Sequence, residues 1–230
     1  MRRIIIFLMG FFMASSPLFA GSVGGTVKFT GAAPKMDTIS MNADPTCASL
    51  HTSPVADDSV VVNSNGTLKN VFVYVKEGLE GKTFPAPSTP AQIDQHGCTY
   101  NPHVLGIQAG QELEILNSDN TLHNIHSLTE KGKQFNLGMP IQGMKLKKKF
   151  DSPEVMVKIK CDVHPWMHAY IGVLPHSFYS VSDDQGKFEI KDLPDGDYTI
   201  EVWHEKYGTQ TQKVTVSGGS LVSSDFTFNG

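Results

Sequence analysis

One short stretch, residues 160–170, carries the side chains best suited to chemistry, namely Cys161, His164 and Met167. Two residues separate each of these side chains from the next. The preceding run, residues 155–159, alternates like a strand, so the loop that follows can aim a thiol, an imidazole and a thioether at one point. Thiolate, imidazole and a weak axial thioether suit copper that cycles between two oxidation states, provided that a second imidazole completes the site. The pattern therefore predicts a copper site and requires another histidine.

The second imidazole has two candidates, because residues 117–126 contain both His123 and His126. His168 lies beside the ligand loop and is a further alternative. Spacing alone leaves open whether His126 and His168 bind the metal or surround its ligands. An additional imidazole near copper would favour the cupric state.

The two motifs together, Cys161-x-x-His164-x-x-Met167 and a distant His123-Asn124, resemble those of the cupredoxins, the small blue-copper proteins. The tight loop is most similar to that of amicyanin, and residues 117–124 resemble the plastocyanin-type segment that supplies the first histidine. The resemblance implies a Greek-key β-sandwich with one mononuclear copper held by those two histidines, Cys161 and Met167. It also implies that Asn124 bonds the backbone beside Cys161 and joins the two ligand segments.

In the cupredoxins, the rim around the loop histidine is the surface for partner docking and electron exit. The resemblance implies that Pro165 and Trp166 form this rim, and Met139 is a further candidate. The alternative for Trp166 is a plug between the copper domain and the C-terminal part of the chain.

The C-terminal part carries a second resemblance. Residues 183–190 read Asp-x-x-Gly-x-Phe-x-Ile and residues 193–200 read Leu-Pro-x-Gly-x-Tyr-x-Ile, which is similar to the carboxypeptidase regulatory-like, transthyretin-like β-sandwich module. We therefore expect an all-β chain, with a cupredoxin-like domain at 21–174 and a small β-sandwich module at 175–230. The module is short, so the opening strand within 21–34 is a candidate to complete it.

Residues 1–20 are typical of a cleaved signal peptide: Arg2 and Arg3, an apolar run at 4–13, and small residues up to Ala20. We expect cleavage after Ala20, export to the periplasm, and no membrane span in the mature protein.

The three cysteines fit that compartment. Since the metal motif requires Cys161, the other two, Cys47 and Cys98, are expected to form a disulfide. The alternative is a zinc site of these two cysteines with His51 and His103, but it lacks a close cysteine pair.

The amino-acid composition limits the classes of binding partner that we expect for this protein. The net charge of −4 and the 18% of charged residues make nucleic acid and an anionic membrane surface unnatural partners. The leading hypothesis is an electron carrier between redox proteins such as a c-type cytochrome or a periplasmic dehydrogenase. The alternatives are a periplasmic copper chaperone or resistance protein, and a cell-envelope interaction protein with a secondary metal site. An enzyme is not expected, because no second histidine cluster or catalytic motif accompanies the copper motif.

Overall fold

The structure is a computed structural model that describes residues 20–230. The expected signal peptide falls almost wholly outside the described residues, so the leader and its cleavage site stay predictions. The described chain contains seventeen strands and one short helix, which confirms the all-β prediction. In chain order these are β1 (Ala20–Thr30), α1 (Pro45–Ser49), β2 (Phe72–Glu77), β3 (Ala91–His96), β4 (Thr99–Asn101), β5 (Val104–Gln108), β6 (Glu112–Asn117), β7 (His123–Leu128), β8 (Asn136–Met139), β9 (Met144–Lys149), β10 (Glu154–Lys160), β11 (His168–Leu174), β12 (Tyr179–Val181), β13 (Lys187–Pro194), β14 (Gly196–His204), β15 (Gly208–Val216), β16 (Leu221–Ser223) and β17 (Phe226–Asn229).

Residues 91–174 form two facing sheets, which we name the central sandwich. Their strand orders are β5-β11-β10-β7-β8 and β4-β3-β6-β9. Side chains alternate between core and surface along strands such as β6, where Leu113 and Ile115 are buried and the glutamates between and before them are partly exposed. Cys161 and Met167 belong to the same apolar core.

The strand register explains why distant residues meet at one end of this sandwich. β10 ends at Lys160 and β11 begins at His168, so residues 161–167 join two antiparallel neighbours. β7 runs antiparallel to β10 with His126 opposite Lys160. The first residue of β7, His123, therefore lies beyond the end of β10, beside the loop.

The second unit, the terminal sandwich, is built from both ends of the chain. One sheet has the order β13-β1-β16 with β17 also paired to β1, and the other has the order β12-β2-β14-β15. The opening strand β1 thus pairs with strands of the C-terminal module, antiparallel to β13 and parallel to β16 and β17.

Strand β2 corrects the expected assignment of residues 72–77 to the copper domain, because it pairs with β12 and β14 of the terminal sandwich. Both faces of β2 are apolar because each face packs in a different apolar cluster. Val73 and Val75 enter the core of the terminal sandwich. Phe72 and Tyr74 face the other way and pack with Val104 and Leu174 of the central sandwich, plus side chains of β12 and β14.

The helix α1 is the one helix of the described residues, and its Cys47 packs in the core of the central sandwich. Asp44 caps it, accepting hydrogen bonds from the backbone N–H groups of Thr46 and Cys47. No helix between residues 20 and 230 has the length and apolar character needed to cross a membrane.

Candidate metal centre

The end of the central sandwich brings together His123, Cys161 and His164. One donor atom from each lies within 4.8 Å of the others, and none of the three residues is more than 2% exposed. Two imidazoles and one thiol are the in-plane donors that the sequence predicts for copper.

The two imidazoles face each other through their Nδ1 atoms, which are 2.9 Å apart. On the opposite side of each ring, Nε2 makes a hydrogen bond to a carboxylate. His123 bonds to Asp119 at 2.9 Å, and His164 bonds to Asp44 at 3.0 Å. A carboxylate partner fixes the proton on Nε2 and leaves the Nδ1 lone pair free for a metal. At this distance the two Nδ1 atoms can share one proton, and a metal cation bound to both nitrogens would take the place of that proton. The residues present therefore fit a copper ion.

Hydrogen bonds and nearby groups favour the thiolate form of Cys161. Burial raises the pKa of the thiol, but a hydrogen bond to His123 and the backbone N–H of His164 outweigh burial and lower the pKa. The same pairing acts on His123: burial lowers its pKa, while Asp119 and Cys161 raise it to about 9. A thiolate is the form that binds metal, and a metal cation would replace the proton shared by this pair.

Asn124 holds the ligand loop against β7. Its Oδ1 atom accepts the backbone N–H of Asp162 at 2.7 Å and that of Val163 at 3.3 Å, and lies 3.2 Å from the Cys161 sulfur. These bonds match the expected joining of the two ligand segments.

Met167 lies in the core beneath the loop and is 1% exposed. Its backbone closes the loop, because its carbonyl accepts from the Cys161 N–H at 3.1 Å and its N–H donates to His164 at 2.9 Å. These bonds close residues 161–167 into a tight loop, and the axial role of Met167 stays a prediction.

The two alternative histidines lie elsewhere. His126 projects from β7 toward the surface, where its Nδ1 is 3.0 Å from Asp162. His168 begins β11 and packs edge-on against His103, with ring centroids 5.0 Å apart. Neither joins the His123, Cys161 and His164 group.

Only part of the predicted docking rim is exposed to solvent. Pro165 is exposed and Trp166 is half-buried. The Trp166 ring lies 5.0 Å from that of His164, and its indole N–H donates to the Cys98 carbonyl at 3.1 Å. The prediction that Met139 could join the docking rim is wrong, because this side chain is fully buried. Its sulfur accepts a hydrogen bond from Gln95 inside the core.

Sequence reasoning did not predict that α1, which is joined to Cys98 by a disulfide, covers His164. Cys47 and Cys98 form the predicted disulfide, which excludes the zinc alternative. The Cys47 sulfur lies 3.6 Å from Nε2 of His164. Asp44 precedes Pro45 in a sequence typical of a helix N-cap, but that local signal says nothing of a histidine far along the chain.

Asp119 was also missed as a functional group. Its carboxylate accepts from the backbone N–H groups of Gly97 and Cys98 at 2.8 Å, in addition to His123. It therefore connects one end of the disulfide to the His123 imidazole. Its position in the polar turn before His123 was the available signal.

Comparison with known proteins gives two results. Residues 166–229 match the family model of the carboxypeptidase regulatory-like domain, as the two motifs of the C-terminal part indicated. No curated protein matches the chain.

Similar solved structures include three that are described as copper proteins or cupredoxins. A purple cupredoxin from Nitrosopumilus maritimus is 28% identical over 36% of this chain and 98% of its own, with a TM-score of 0.32. A copper-containing nitrite reductase from Thermus scotoductus SA-01 is 20% identical over 42% of this chain and 25% of its own, with a TM-score of 0.35. A Cu(I) mutant of amicyanin is 17% identical over 36% of this chain and 81% of its own, with a TM-score of 0.33. The assignment of ligands in this chain rests on the geometry of the site itself.

Proposed function

We propose that this protein is an exported mononuclear copper protein that carries single electrons between redox partners. The observation that carries the proposal is the buried pair of Nδ1 atoms on His123 and His164, 2.9 Å apart, with the Cys161 sulfur beside them. Bound copper would supply the one-electron couple between Cu(I) and Cu(II).

The chain contributes rigidity and exclusion of water. Asp44 and Asp119 fix the two imidazole rings, and Asn124 fixes the loop that holds Cys161. Because these groups are bonded before a metal binds, the donors need to move little when the charge of the metal changes. Little movement means a small reorganisation cost for each electron transfer.

Burial distinguishes a carrier from a chaperone. A copper chaperone must release its metal, which requires access for a competing ligand. Here His123, Cys161, His164 and Met167 are all buried, and the disulfide-linked α1 covers the outer edge of His164. This enclosure favours retention of the metal over exchange.

Partner docking is proposed at the exposed apolar side chains adjoining the ligands. Leu122 precedes His123, and Val163 and Pro165 flank His164, and all three are exposed. A small apolar surface suits brief contact with a redox protein such as a c-type cytochrome or a periplasmic dehydrogenase. The periplasm is the proposed location, and the disulfide is consistent with an oxidising compartment.

The test is the visible and electron paramagnetic resonance spectrum of the copper-loaded, oxidised protein. We expect an intense red-light absorption and narrow copper hyperfine splitting. Cys161→Ser should abolish the intense band, because the thiolate bond to copper produces it, while the fold remains. His126→Gln is the matched control and should leave the spectrum unchanged. A band that survives in Cys161→Ser, or weak colour in the unaltered protein, would contradict the proposal.

A further inference from the structure

A second cluster of metal-binding side chains lies where the two sandwiches meet. His103, between β4 and β5, and His168, at the start of β11, come from the central sandwich. Glu205 follows β14 in the terminal sandwich, and Asp58 lies in the loop between α1 and β2. One ring nitrogen of each histidine and a carboxylate oxygen of Asp58 lie within 4.8 Å of one another.

Glu205 contacts both imidazoles. One of its oxygens lies 2.5 Å from Nε2 of His103 and the other lies 3.4 Å from Nε2 of His168. In His103 the carboxylate engages Nε2 and leaves Nδ1 for a metal, which is the usual arrangement around histidine ligands. In His168 the Nδ1 atom lies 3.3 Å from the Trp166 carbonyl, so Nε2, on the side of Glu205, is the nitrogen left for a metal.

The His103 imidazole lies between two carboxylates. The residue is 6% exposed, and its Nδ1 lacks a hydrogen-bond partner among the described residues. Nδ1 is 3.2 Å from an Asp58 oxygen, close enough for an ion pair, but the contact lacks the direction of a hydrogen bond. Burial lowers the pKa of His103, but Asp58 and Glu205 outweigh burial and raise the pKa to about 9, so a metal ion bound at Nδ1 would replace a proton held between two carboxylates.

The cluster is reachable from solvent, because the Asp58 side chain is 42% exposed. It also uses none of the residues that form the copper centre. His168 is next to Met167 in sequence, but its ring contacts His103 and Glu205 instead of the thiol and imidazoles of that centre.

We propose that His103, His168 and Asp58 bind a divalent first-row transition-metal ion such as Zn(II) or Cu(II), with Glu205 positioning the His103 imidazole. Imidazole and carboxylate donors suit these ions, and Cu(II) generally binds such donors more tightly than Zn(II). Because the ligands and their positioning carboxylate come from both sandwiches and from the loop between them, the ion also ties these parts together. Binding therefore raises the melting temperature of the whole chain.

The experiment uses the full chain with its first site already filled by one copper ion, and Zn(II) as the probe. Titration calorimetry, followed by gel filtration and metal analysis, should show one zinc ion bound per chain and a higher melting temperature. Asp58→Asn should weaken zinc binding strongly. It should not affect the fold, because the Asp58 side chain is 42% exposed. Glu205→Gln should weaken it about 10- to 100-fold, as is usual for carboxylates that orient metal-binding histidines.

His126→Gln is the matched control, since His126 is also paired with a carboxylate but has no second histidine beside it. It should bind zinc like the unaltered chain. The visible band of the first copper reports the other centre separately and should be the same in all variants. No zinc beyond the first copper, or equal zinc affinity in Asp58→Asn and the unaltered chain, would overturn the inference and leave the cluster as an ion-pair network.

Discussion

At the scale of single residues, the candidate copper centre is defined by the carboxylates behind its histidines. Asp44 and Asp119 each accept the Nε2–H of one imidazole, so both rings present Nδ1 inward. A carboxylate in this position strengthens the imidazole as a donor and adds negative charge near the metal. Both effects favour the cupric state over the cuprous state.

Replacing one carboxylate should therefore raise the reduction potential. Asp44→Asn keeps a good helix N-cap for α1 but removes the charge. We expect a loss of Cu(II) affinity of about 10- to 100-fold. If Cu(I) binding is unchanged, the potential rises by about 60 to 120 mV, since tenfold corresponds to 59 mV for one electron. Voltammetry of the two proteins measures this shift.

The control for that experiment is Asp184→Asn, which removes the same charge from an exposed turn of the terminal sandwich. It should leave the potential unchanged. A potential that stays constant or falls in Asp44→Asn would show that the carboxylate does not tune the site.

At the scale of elements, the ligand loop is held on two sides. β7 holds it through Asn124, and α1 covers it through the disulfide between Cys47 and Cys98. The disulfide links positions 51 residues apart in sequence and lies within the core of the central sandwich. A loop of that size restricts the unfolded chain considerably.

Removing the disulfide should cost stability. For the double variant Cys47→Ala with Cys98→Ala, chain entropy predicts that the free energy of unfolding falls by about 4 kcal/mol. Denaturant unfolding of the copper-free protein measures the loss. Cys161→Ala is the control, because it removes a sulfur from the same core without breaking a cross-link. Equal losses in the two proteins would contradict a role for the cross-link.

At the scale of the whole molecule, the two sandwiches are interleaved along the chain. The terminal sandwich takes β1 and β2 from before the central sandwich and its remaining strands from after it. The match to the carboxypeptidase regulatory-like domain covers 166–229 and so includes neither β1 nor β2. Truncation of the chain after residue 174 would therefore remove most strands of the terminal sandwich and leave β1 and β2 without the rest of its core.

A chain that ends at Leu174 should aggregate. It would leave β1 and β2 without their partners and expose apolar side chains such as Val23, Val27, Val73 and Val75, which are at most 1% exposed in the structure. Full burial of each such side chain is worth about 1.5 to 3 kcal/mol. Light scattering during refolding should show aggregation, and adding the separate segment 175–230 should reduce it. A monomeric, copper-binding chain of 1–174 would contradict this reasoning.

The sequence by itself determined the parts of the protein that depend on short spacing. Cys161, His164 and Met167 lie within seven residues after an alternating strand, so their types and spacing indicate a shared metal site. The assignment of Cys161 to the metal left Cys47 and Cys98 as the pair, and the disulfide confirms it. Alternating apolar residues and turn motifs likewise indicated the all-β class, and the resemblance of residues 183–200 to a known family indicated the C-terminal module.

Only the tertiary structure decided which distant groups meet. Asp44 and His164 are 120 residues apart, and no local pattern links them. The burial of Met139, the pairing of β2 with β14, and the meeting of His103, His168 and Glu205 likewise depend on how sheets pack. Alternation shows that a strand has an apolar face but not which core receives it, because many apolar surfaces are equally suitable until the long-range strand pairing is fixed.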